Sequence, residues 1–129
     1  MTFIDTNYFL RFLIMDQVKQ FSQVRKLFDQ GAKGEIDLFS SEVVFFELYW
    51  VLHSFYRYSK EQLVLSLTQI LEMSFIKFDN SDRLIRTLEL FKIHNLDLED
   101  CYNLVFATEN QAKNFASFDV KLQKIFLSE

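Results

Sequence analysis

Short apolar runs at Met1 to Ile4, Ile36 to Ser40, Phe75 to Phe78 and Asn114 to Phe118 alternate with longer segments whose apolar residues recur every three or four positions. A short, largely apolar run suits a buried strand, and the longer period suits a helix buried along one side. Helices are expected at Tyr8 to Met15, Gln17 to Gln30, Ser81 to His94, about Leu98 to Gln111, and Val120 to Leu127. Two more start at Ser41 and Ser59, which are N-cap residues, and Ser59 has Gln62 at capping-box spacing. The stripe Val44, Leu48, Val51, Leu52 and Phe55 marks the buried side of the first of these. Strands separated by helices pair in parallel through right-handed crossovers. The expected fold class is therefore α/β: one three-layer α/β/α domain over residues 1–129, with a central parallel sheet of four to five strands. Sheets of this type place ligands beyond the carboxyl ends of their strands.

Proline is absent and glycine occurs twice, so turns are expected to fall on Asn, Asp, Ser and Lys. The 16 Phe follow helical spacing, which makes them core residues rather than a base-stacking platform. A net charge of −4 argues against a general nucleic-acid coat, but not against an enzyme that holds nucleic acid briefly. The single Cys101 excludes an intramolecular disulfide and a multi-cysteine zinc site, and reads as a buried thiol in a reducing cytosol. No signal peptide is visible, and no apolar run approaches the roughly 20 residues of a membrane span. A soluble, cytoplasmic protein is expected. His53 and His94 fit neither a metal motif nor a catalytic triad, and no glycine-rich loop is present to cradle a phosphate.

Four acids lie at the edges of apolar segments: Asp5, Glu47, Asp100 and Asp119. A charge there is costly unless something neutralises it. Gathered in one cleft, four carboxylates would raise one another's pKa, and a hard divalent cation would remove that penalty. Each acid also has a plainer role. Asp5 suits a turn after a strand, with Thr6 and Asn7 either positioning its carboxylate or capping the next helix. Glu47 can be a solvated flank of its helix. Asp97 suits the N-cap and Asp100 the third position of the same helix. Asp119 can cap the last helix, with Ser117 beside it. Glu42 and Glu99 read as structural and as lying on another face, respectively.

Phe3 to Arg11, reading Phe-Ile-Asp-Thr-Asn-Tyr-Phe-Leu-Arg, resembles the opening of PIN-domain ribonucleases, especially the VapC-like toxins of toxin–antitoxin pairs. The helix from Ser41 to Leu52, with Glu47, resembles their second motif. Asp97-Leu98-Glu99-Asp100-Cys101 is similar to the third, whose last Asp is the ligand, and Ser117-Phe118-Asp119 to the fourth, where Thr is commoner than Ser. The family often continues past that acid with another Asp and an aromatic, where this chain has Val120-Lys121-Leu122, and the resemblance puts the start of a fifth strand at about Glu129, where the sequence ends.

The resemblance implies a PIN-like domain and a Mg²⁺- or Mn²⁺-dependent endoribonuclease, a hydrolase of RNA phosphodiesters that uses metal-activated water. In that reading Asp5, Glu47, Asp100 and Asp119 hold the metal. Thr6, Asn7 and Ser117 orient those ligands, and Arg11 is either a phosphate contact or a plain surface arginine. It further implies a homodimer and a cognate antitoxin that inserts a basic residue into the acidic pocket. The alternative is a catalytically inactive PIN-like module that binds RNA or protein.

Overall fold

In the computed structural model, which describes residues 1–128, the chain divides into two units, Met1–Ser81 and Asp82–Glu129. The first unit holds a parallel sheet of β1 (Thr2–Phe3), β2 (Leu38–Ser40) and β3 (Ile76–Phe78), in the order β1-β2-β3. Thr2 pairs with Leu38, and Leu38 with Ile76. The β1–β2 edge is extended where Ile4 N donates to Phe39 O at 2.8 Å and Ser40 Oγ donates to Ile4 O at 2.7 Å. These bonds fix the chain that leaves β1, which is where Asp5 lies.

Four helices of this unit connect the strands: α1 (Thr6–Ile14), α2 (Val18–Ala32), α3 (Glu42–Ser54) and α4 (Lys60–Glu72). α1 packs on α2 and α3, and α3 packs on α4. Their starts follow the capping chemistry in the sequence. Val44 N donates to Ser41 Oγ at 3.2 Å, and Ser59 and Gln62 form the reciprocal capping box. The apolar periodicity ends up in an aromatic core. The buried Phe9 ring lies 6.0 Å from Phe28 and 5.8 Å from Phe78, and Phe45 lies 6.2 Å from Phe78. Gly31 lets α2 approach β2, since a Cβ there would come within 2.9 Å of Leu38 Cγ.

The second unit contains nearly all of α5 (Ser81–Ile93), with α6 (Leu98–Glu109) and α7 (Val120–Ser128). Leu104, Leu122 and Ile125 form its small core, with Leu90, Leu96, Phe115 and Phe126 packed against them.

Two expectations need correction. Asn114 to Phe118 is irregular rather than a strand, and the described residues form three strands, not four to five. The apolar residues there are spent on something other than a ladder: Phe115 packs 5.4 Å from the Phe126 ring, while Phe118 is fully exposed. The start of the expected fifth strand, at Glu129, lies outside the described residues. Turn chemistry also departs from expectation. Left-handed backbone falls on Gly34 and Asn80, but also on Met15, Arg57 and Gln111, whose side chains make that conformation costly. Among the described residues, no helix is long and apolar enough to cross a membrane.

Candidate functional site

β1 ends one residue before Ile4, and Asp5 then serves as N-cap of α1, its Oδ1 accepting from Thr6 N at 2.8 Å. The cap starts the helix at Thr6, two residues earlier than expected. Thr6 is buried at 4 % exposure, and its hydroxyl donates to Glu47 Oε1 on α3. Glu47 is itself exposed but stands between the buried Val44 and Leu48. Asp5 and Glu47 therefore meet through a single residue at the carboxyl end of β1. Sequence reasoning placed Thr6 beside Asp5 but missed its bond to Glu47, because nothing in the spacing of α1 and α3 sets that pairing.

Asn7 is exposed in the first turn of α1, and Arg11 is half-buried one turn later. Both open onto a cavity of about 410 Å³ between α1 and α2. Arg11 Nη1 donates to Asp16 Oδ1 at 2.9 Å.

In the second unit Asp97 is the N-cap of α6, without a side-chain cap bond. Asp100 is half-buried in the first turn. Its carboxyl is held above the usual carboxylate range, first by burial, then by the like charges of Asp97 and Asp119. Asp119 Oδ1 accepts from Lys121 N at 2.9 Å and Leu122 N at 3.3 Å, so the plain capping role is real. Ser117 Oγ accepts from the Asp119 backbone N–H at 3.0 Å and so steadies the turn rather than the carboxylate. A carboxylate has about four acceptor positions, so a capping acid retains capacity for another partner.

Four other groups have plain structural surroundings. Glu109 pairs with Arg86 and, at 3.1 Å, with Arg83, which holds its carboxyl below the usual range. Arg83 is raised by its hydrogen bond to Tyr102 and then by Glu109. Cys101 is a buried free thiol. His53 is exposed, its ring stacked 5.7 Å from Tyr49.

Oxygen donors of this kind suit a hard divalent cation. The cost of a half-buried charge at Asp100, set by burial first and then by Asp97 and Asp119, is the penalty such a cation would relieve. Among the described residues, however, no three His, Cys, Asp or Glu side chains form a group that could hold a metal ion. The donor chemistry fits; a third ligand is not assembled.

A family model described as PIN domain matches residues 2–126. No curated protein and no solved structure matches the chain.

Proposed function

Because the chain belongs to the PIN domain family, whose members are nuclease-type domains, we propose that it is a Mg²⁺- or Mn²⁺-dependent endoribonuclease, the VapC-like toxin of a toxin–antitoxin pair. The observation that carries this is the meeting of Asp5 and Glu47 at Thr6, whose hydroxyl reaches a carboxylate 41 residues away in the chain. A buried hydroxyl bound to an exposed carboxylate is the kind of support that orients a metal ligand.

In this reading Asp5 and Glu47 in the first unit, with Asp100 and Asp119 in the second, are the metal-holding carboxylates. When bound, the cation lowers the pKa of a water and offsets charge on the phosphate oxygens. Thr6 fixes the Glu47 carboxylate, Asn7 orients neighbouring groups, Ser117 steadies the turn that carries Asp119, and Arg11 contacts a phosphate. The family match runs through both units, which supports reading residues 1–129 as one PIN-like, three-layer domain. A cytoplasmic homodimer inhibited by its antitoxin completes the proposal.

Incubation with total cellular RNA tests it. The wild type should degrade RNA with Mg²⁺ or Mn²⁺, while EDTA or Asp5→Ala should stop degradation. Intact RNA under both metals would remove the nuclease reading.

One observation favours a second reading, a catalytically inactive PIN-like module that binds RNA or protein: no three-ligand group is assembled among the described residues. A Mn²⁺ titration separates the two. The nuclease binds the ion, and the module remains folded without binding it.

A further inference from the structure

The cavity between α1 and α2 has a composition unlike that of the rest of this acidic chain. Asn7, Tyr8 and Arg11 line it from α1, and Gln17, Gln20 and Gln23 from the start of α2. Val24, buried at 2 % exposure, forms its floor. Among the described residues no carboxylate lines it, although the chain carries 18 acidic residues and a net charge of −4. At about 410 Å³ it falls within the ordinary range of small-ligand sites, about 300–1,000 Å³.

Four of its side chains are neutral primary amides. Each presents a donor and an acceptor in one plane, which is the pattern that pairs with the edge of a nucleobase. The spacing of Gln20, Gln23 and Val24 places two amides and the apolar floor on one face of α2. Tyr8 contributes a half-buried aromatic ring, the usual partner of an unstacked base. Arg11 completes the set. It has five N–H donors and is ion-paired through one of them with Asp16, so the others can meet a phosphate at the rim. That pair is partly exposed, with Asp16 at 51 % side-chain exposure, so a phosphate can displace the carboxylate at little cost. The cavity also begins two residues after Asp5, on the same helix that Asp5 caps.

We propose that this cavity is a nucleobase-recognition site for single-stranded RNA, with Gln20 and Gln23 reading the base edge, Tyr8 stacking on its face and Arg11 holding the adjoining phosphate. The choice of RNA rests on the nuclease reading, but base recognition can be tested without cleavage. The experiment measures binding of fluorescein-labelled single-stranded hexamers of A, C, G and U by anisotropy, in EDTA. The wild type should prefer one hexamer by about tenfold or more, the discrimination that one good base-edge contact provides. Gln20→Ala with Gln23→Ala should compress that preference to within about twofold, with an unchanged melting temperature because both side chains are exposed. Tyr8→Leu should weaken binding to every hexamer, and Tyr8→Phe should restore it. Equal binding of all four hexamers by the wild type, no binding to any, or a preference that survives the double Gln variant overturns the proposal. A wild type that cleaves no RNA yet shows the Gln-dependent preference sinks the nuclease reading and leaves this site standing.

Discussion

In the first unit Asp5 and Glu47 accept hydrogen bonds from one residue, Thr6, so each carboxylate has a neutral donor beside it. In the second unit Asp100 is half-buried with Asp97 and Asp119 close enough to disfavour its charge. The first pair is held by hydrogen bonds; in the second unit the Asp100 charge is disfavoured by burial first and then by its acidic neighbours. Hydrogen-bonded acids are positioned before any ligand arrives, whereas mutually repelling acids gain most from a cation. The two arrangements suggest complementary tasks, orientation in the first unit and charge demand in the second.

The largest effects should come from removing either half. Glu47→Ala and Asp100→Ala should each reduce RNA cleavage by on the order of 1,000-fold, the scale of several kcal/mol of charge stabilisation. Asp5→Asn combined with Asp100→Asn should abolish Mn²⁺ binding measured by calorimetry. If Asp100→Ala cleaves as well as wild type, the second unit's acids take no part in the chemistry and the comparison loses its functional meaning.

Thr6→Val probes the first unit alone. It leaves Glu47 without its buried donor and should destabilise the fold by about 1–3 kcal/mol in urea unfolding, with a further loss of cleavage of about 10–100-fold if Glu47 is misoriented. Thr6→Ser should recover most of both. Recovery of stability without recovery of cleavage would show that the bond serves folding only.

What could be read from the sequence follows from the range of each interaction. Ser41, Ser59 and Gln62 act within one helical turn, so their capping bonds were legible from spacing. The run at Asn114 to Phe118 misled because burial of Phe115 looks the same in sequence whether it faces a sheet or the side of α7. The four acids could be picked out by their apolar surroundings, but their partners could not. The contact from Thr6 to Glu47 depends on how α1 and α3 pack, which no local rule encodes. The amides facing the α1–α2 cavity were likewise invisible, since exposed Gln on a helix has the same pattern as a solvated face.

Asp119→Ala should cost about 1 kcal/mol through loss of the cap on α7. The same change removes a like charge from near Asp100, which offsets part of that loss at neutral pH.

On stability, Asp100→Asn alone gives the smallest effect and isolates the cost of a half-buried charge beside Asp97 and Asp119. The Asp100 pKa is raised on folding, so the folded state holds its proton more tightly than the unfolded chain does. The stabilisation from that proton is complete below the ordinary carboxylate pKa and is lost as pH rises through the raised value. At pH 7 the ionised side chain is therefore a net cost, muted by its partial exposure to solvent. Asp100→Asn should raise the melting temperature slightly at pH 7 and leave it unchanged near pH 3, where wild type is protonated in both states. Mn²⁺ should then stabilise wild type more than the variant, because only the wild type offers a charge for the ion to neutralise. A variant that melts lower than wild type at pH 7 would mean that Asp100 has a stabilising partner stronger than its repulsion from Asp97 and Asp119, and the contrast between the two units would reverse.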